Sequence, residues 1–150
     1  MGKVYLHKPR AVDEKLGRVD PNTGKVYRRR VGPDQRAGRV ELSNGKIYRN
    51  RVGPDEYVGR VNLDNGKIYR HRVGPDEYVG RVKSNGRIYL RDILAPDDYV
   101  GRVGDMDSLA EGGAAFFLLV LPAIELSGMG PDDVKTGKGQ SDANESGEGE

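Results

Sequence analysis

The phrase Gly-Arg-Val begins at Gly17, Gly38, Gly59, Gly80 and Gly101, a period of 21 residues without drift. A fixed period of this length means that each unit is one small supersecondary element. Such an element cannot bury its apolar face alone and must pack on its copies. The period divides the chain into four full units, 17–37, 38–58, 59–79 and 80–100, flanked by half-units 2–16 and 99–103.

Each unit reads as two short strands. Val, Ile and Tyr suit a pleated surface. Asn-Gly and Gly-Pro-Asp-Glu are turn chemistry, with Gly supplying positive φ and Pro presetting φ. Gly or Pro recurs about every ten residues, so no run is long enough for a helical period. The fold class is therefore all-β: tandem two-stranded hairpin repeats forming a meander, a solenoid or a closed ring. Gly2-Lys-Val-Tyr5 repeats Gly24-Lys-Val-Tyr27, so the chain enters on a second strand. It leaves the array on a first strand, Tyr99-Val-Gly-Arg-Val103, and the two halves complete one more hairpin, about ten strands in all. Pairing of the halves would close the array and remove its edges. Otherwise the ends are capped by other elements or by a second chain.

A one-residue deletion bears on register. Six residues separate Val61 from Ile68, but five separate Val82 from Ile88. If Val pairs with Ile, unit four only has a shorter turn and every later pair is kept. That register sets Arg60 opposite Tyr69 and Gly59 opposite Arg70. Arg over a Tyr ring is favourable, and Gly would leave room for an Arg stem. The rival register sets Arg60 against Arg70, which like-charge repulsion disfavours.

Beyond the array, Ser108-Leu-Ala-Glu111 is a capping-box signature, and Pro122 reads as a stop, predicting a helix over 109–121. Segment 104–126 is expected to form an apolar cap packed on unit four, where Leu90…Ile93-Leu94-Ala95 replaces the basic Arg70…Arg72-Val73-Gly74 pattern. Segment 127–150 holds two Lys and six Asp/Glu and is Gly- and Ser-rich, so a disordered acidic tail is expected. Ala114–Ile124 offers eleven largely apolar residues, short of the ~20 that cross a bilayer, so no transmembrane segment is expected. The start, Met1 to Lys8, has no apolar run and reads as no secretory signal, which makes cytoplasmic placement the expectation.

Candidate binding residues are the rows Arg39, Arg60, Arg81 and Arg49, Arg70, interleaved with Tyr48, Tyr69 and Tyr89. Cations between aromatic faces can hold phosphates or a single nucleic-acid strand. The competing reading is that each Arg stacks on Tyr within the sheet and pairs with a turn carboxylate. The acids recur at the same period as the bases, which supports that second reading. Adjacent acids such as Asp55-Glu56 splay apart in a turn and do not make a general acid–base pair. Cysteine is absent, and His7 and His71 occupy non-equivalent positions, so no cofactor or transition metal is expected. Asp20-x-Asn22-x-Gly24 lacks the distal Glu of a calcium loop and reads as a plain turn.

One Gly-aromatic phrase per unit resembles the architecture of choline-binding and other cell-wall repeat modules, whose ligand sites depend on Trp; none is present here. Tyr-x-Gly-Arg-Val is similar to a fragment of the YD repeats of large secreted shells. The expected function is a non-enzymatic scaffold or interaction module, self-associating or binding a protein partner. The alternative is a nucleic-acid or polyanion binder using the Arg/Tyr rows.

Overall fold

A computed structural model describes residues 2–127. Ten antiparallel strands run β1 (Gly2–Leu6), β2 (Glu14–Val19), β3 (Lys25–Arg28), β4 (Gln35–Val40), β5 (Lys46–Arg49), β6 (Glu56–Val61), β7 (Lys67–Arg70), β8 (Glu77–Val82), β9 (Arg87–Leu90) and β10 (Asp98–Gly104). Each pairs with the strands before and after it, and β1 pairs with β10, so the sheet is a closed barrel. The half-units do complete a fifth hairpin, and of the open and closed alternatives the ring is the one formed.

Register within a unit is Gly59 opposite Arg70, Arg60 opposite Tyr69 and Val61 opposite Ile68. Unit four keeps it with Val82 opposite Ile88, across a turn shortened by one residue. Between units the ladder skips one residue: Leu16, Ala37, Val58, Val79 or Val100. Each skipped residue's carbonyl accepts a backbone N–H, as Val58 does from His71 at 3.0 Å. Such bulges bend a strand and sharpen its twist, and their recurrence curls five hairpins into one ring.

Alternation sends one β-branched side chain per strand inward. Val4, Val19, Val26, Val40, Ile47, Val61, Ile68, Val82, Ile88 and Val103 form this belt, all at most 2 % exposed. The remaining space is filled by the C-terminal helix. Its parts are α1 (Leu109–Ala115), a π-helical stretch (Phe116–Val120) and α2 (Leu121–Ser127). Residues 110–120 are buried on every side. A Cβ added at Gly38, Gly59 or Gly80 would meet Leu118, Phe117 or Phe116, and one added at Gly112 or Gly113 would meet Val82 or Val61.

The helix is therefore a plug in the lumen, not a cap on unit four. A closed ring has no end to cap, and glycine on every first strand leaves a bore the width of a helix. Ile93 and Leu94, expected beneath the helix, stay 81 % and 84 % exposed. The glycine of Gly-Arg-Val also has a different reason from the one expected. At Gly59 a Cβ would lie 2.3 Å from the Tyr69 carbonyl oxygen and 2.7 Å from the Phe117 ring. It makes room for the neighbouring strand and the plug, not for an arginine stem.

Pro122 does not stop the helix. It has no N–H to offer the Leu118 carbonyl four residues earlier. Arg28 fills that vacancy, its Nη2 donating to the Leu118 oxygen at 3.0 Å. One-residue widening of the preceding turn, where Leu121 N–H reaches Phe116 O, accompanies the proline. The tail expected over 127–150 lies outside the described residues apart from Ser127, which ends α2.

At the helix start Glu111 reaches back to accept from Asp107 N–H (2.8 Å) and Ser108 N–H (2.9 Å). Its other oxygen, Oε1, is buried without a partner, beside the Gly2 backbone. Burial pushes the Glu111 carboxyl above the usual range, against the opposing pull of those two N–H bonds. As pH rises past ordinary carboxyl values, the unfolded chain ionises more readily than the folded one, so stability falls. Glu111→Gln removes this titration. The melting-temperature advantage of the variant over the parent should grow from about pH 4 to about pH 7; a constant difference would show that Glu111 ionises freely.

Candidate interaction surfaces: the arginine–tyrosine wall and the loop rim

On the outer wall the Gly-Arg-Val arginines form a ring of equivalent clusters. Arg18, Arg39, Arg60 and Arg81 place their guanidinium carbons 4.2, 4.1, 4.3 and 4.9 Å from the ring centroids of Tyr27, Tyr48, Tyr69 and Tyr89. Arg102 does the same over Tyr5 at 4.1 Å, across the β1–β10 seam. Each arginine also turns its Nε toward the aspartate of the next loop: Asp34, Asp55, Asp76, Asp97 or Asp13, at 3.1 to 3.5 Å. The seam is thus closed by a fifth copy of the contact found inside each full unit. Tyr57, Tyr78 and Tyr99 extend the layer, with ring centroids 5.5, 6.0 and 5.8 Å from Tyr48, Tyr69 and Tyr89.

Unit three departs from this plan. Tyr78 donates its hydroxyl to Asp97 Oδ2 at 2.9 Å, leaving Arg81 Nε at 3.5 Å from the same oxygen. Burial and the adjacent carboxylate push the Tyr78 phenol up to about 12. Burial also raises Tyr57 and Tyr99. At Asp13 burial acts to raise the carboxyl, but bonds from Lys8 N–H, Arg102 and His7 prevail and hold it below its usual value. These shifts keep the tyrosines neutral and the aspartate charged near neutral pH. They follow from structural pairing.

Of the residues singled out from the sequence, Arg39, Arg60, Arg81, Tyr48, Tyr69 and Tyr89 come together on this wall. Arg49 and Arg70 do not join them. They sit one residue after the stacked tyrosines, on the lumen side of the strand, in the row begun by Arg28. Arg49 lines a cleft of about 140 Å³ with Arg28, Gln35 and Leu118, and pairs with Glu56 at 3.6 Å. The expected pairing of bases with turn acids is formed by the aspartates, while Glu56 and Glu77 turn to Arg49 and Arg72.

A second surface was not singled out from the sequence. Antiparallel order puts the loops after β1, β3, β5, β7 and β9 on one rim of the barrel, and the short Asn-Gly turns on the other. Every loop of the first rim holds a large apolar side chain in solvent. Val12 is 90 % exposed, Val31, Val52 and Val73 are beyond 100 %, and Ile93 and Leu94 exceed 80 %. The tips are braced: Arg30 and Arg51 donate through Nε to the carbonyls of Pro33 and Pro54 at 3.0 Å. Gly32, Gly53 and Gly74 take φ of 86 to 89° with nothing within 4 Å of a would-be Cβ. The signal in the sequence was the aliphatic residue directly before Gly-Pro, a turn position where burial is not available.

The helix ends at this rim as well. Arg28, the last residue of β3, touches Leu118, and α2 continues beyond it to an exposed Leu126. By length and composition Leu109–Leu126 could cross a bilayer, which extends the eleven-residue run read from sequence; 67 % of it is buried inside the barrel. Among the described residues, no three His, Cys, Asp or Glu side chains cluster in a way that could hold a metal ion. No protein-family model, curated protein or solved structure matches the chain.

Proposed function

We propose that the protein is a non-enzymatic binding module, a rigid ring that meets its partner through the loop rim at several equivalent points at once. The observation that carries this reading is the set of five loops holding aliphatic side chains in water, two of them braced by an arginine at the tip. Isolated exposed apolar residues are ordinary. A closed circle of them on one face is a contact patch of the kind that marks interaction sites. Equivalent points on a rigid frame also gain from multivalency, since after the first contact the others are intramolecular. The wall arginines are a weaker candidate because each is already stacked on a tyrosine and paired with an aspartate. A polyanion would have to displace both.

Photo-cross-linking compares the two ends of the ring. A benzophenone side chain placed at Val52 in the full chain should give a discrete adduct when irradiated in cells that make the protein. The same group at Lys46, an exposed position beside an Asn-Gly turn, should give none, and the reverse pattern would sink the rim assignment. Labelled single-stranded oligonucleotide at low salt is expected to stay free. A salt-dependent shift abolished by Arg39→Gln, Arg60→Gln and Arg81→Gln together would move the function to the wall.

A further inference from the structure

Taking the rim as the contact surface, we infer that it docks on an anionic lipid surface. The argument begins with what surrounds the apolar tips. Lys8, Arg10, Arg30, Arg51, Arg72 and Arg91 are all exposed in the same loops. The loop acids Asp13, Asp34, Asp55, Asp76 and Asp97 are turned to the wall arginines. Arg72 pairs with Glu77 at 3.0 Å and Lys8 with Glu14 at 3.1 Å, each cation staying about half exposed. Facing outward, the rim is therefore a circle of aliphatic tips in which these six cations outnumber the remaining acids, half-buried Asp92 and exposed Asp98, with exposed Glu125 on the helix end.

Aliphatic groups flanked by Lys and Arg are the combination that binds the headgroup region of an anionic membrane. The apolar part enters the acyl boundary and the cations meet lipid phosphates. Shape agrees with chemistry. The loops cap alternate gaps between strands and so ring one end of the barrel, where one extended surface can meet several tips together. A grooved partner would need to follow a ring around the projecting end of α2. The exposed Leu126 on that end adds an apolar group at the centre of the circle.

Internal divergence adds a further argument. Unit four replaces Arg72-Val73-Gly74 with Ile93-Leu94-Ala95, and the first loop is rebuilt as Pro9-Arg10-Ala11-Val12. An exposed aliphatic tip is present in both, although its position and neighbours have changed.

Two other occupants fit less well. A second copy docked rim to rim would set the two circles of cations against each other. The chain's own 128–150 segment has net charge −4, but Met129 and Val134 are its only large apolar residues, too few for five tips.

The chain contains no Trp, so a single introduced one reports its own surroundings. Val52→Trp in the full chain should shift its emission to the blue with vesicles of equal parts phosphatidylcholine and phosphatidylglycerol, and should not shift with phosphatidylcholine alone. Ser43→Trp, on the opposite rim, should shift with neither. In vesicle co-sedimentation, Val31→Ser, Val52→Ser and Val73→Ser together should lower partitioning on the order of 100-fold. Arg30→Gln, Arg51→Gln and Arg72→Gln together should do so on a similar scale. All six positions are exposed, so the unchanged melting temperature of these variants can be verified first. No shift at Val52→Trp, or equal shifts at both probes, overturns the lipid assignment. So does emission from Val52→Trp that is already blue without vesicles, because the rim is then covered by protein. If vesicles fail while benzophenone at Val52 still captures a protein, the lipid is wrong and the rim stands. If both fail, both readings fall.

Discussion

A chain ended at Gly104 is expected to keep all ten strands in sequence and form no barrel. The strands would be left with the inward belt of Val and Ile and an empty bore. Phe116, Phe117, Leu118, Leu119 and Val120 are each at most 2 % exposed. At about 1.5 to 3 kcal/mol apiece, their burial amounts to roughly 10 kcal/mol, comparable to the entire net stability of a small domain. The bore cannot simply shrink, because strand number and stagger fix a barrel's diameter. The measurement is a thermal or urea transition together with hydrodynamic size. The truncated chain should show an expanded radius and no cooperative step. A compact, cooperatively melting product would mean that the ring stands without its plug. A milder version, Phe117→Ala in the full chain, should cost about 3 to 5 kcal/mol and remain folded.

Gly59→Ala should destabilise the fold by about 3 kcal/mol or more, whereas Gly53→Ala, in the loop just before β6, should cost only about 1 to 2 kcal/mol. The same methyl group meets two different obstacles. At Gly59 it would lie 2.3 Å from the Tyr69 backbone oxygen and 2.7 and 2.8 Å from two Phe117 ring atoms. Relief requires moving the β6–β7 pair apart or tilting the plug, and both disturb every layer of the core. At Gly53 there is nothing within 4 Å, and the only cost is holding a side chain at φ of 86°. Urea midpoints of the two variants decide the matter. Equal losses would show that close approach in the wall is not what requires the glycine.

Much of this architecture was legible from the repeat alone. Strand positions, the Val61–Ile68 register and the stacking of Arg60 on Tyr69 follow from local chemistry and from the one-residue deletion in unit four. Closure was visible as an alternative but not decided, because nothing in the sequence of one hairpin states how far each bulge turns the next. The helix was legible as a helix, while its location was not. An apolar stretch declares that it will be buried, and the bore that receives it exists only after the ring has closed. Pro122 misled for a related reason: its missing N–H is compensated at the Leu118 carbonyl by Arg28, which lies ninety positions before Leu118 in the chain. On the wall, the pairing of bases with acids was readable because both recur in step. The rim is hard to read because valine is a common strand residue, and its place directly before Gly-Pro is the sole local sign that it stays in solvent.

The fit between the five strand glycines and one helix has a consequence for how such a chain can change. Open solenoids gain and lose repeats freely, since each touches only its neighbours. Here a duplicated unit would add two strands and widen the bore past the ~10–12 Å girth of a helix, and a lost unit would pinch it. The helix serves as a gauge that counts the hairpins. Copy number, the quantity that drifts most easily in other tandem arrays, is in this chain locked, and a lineage could alter it only by recasting residues 109–121 in the same step.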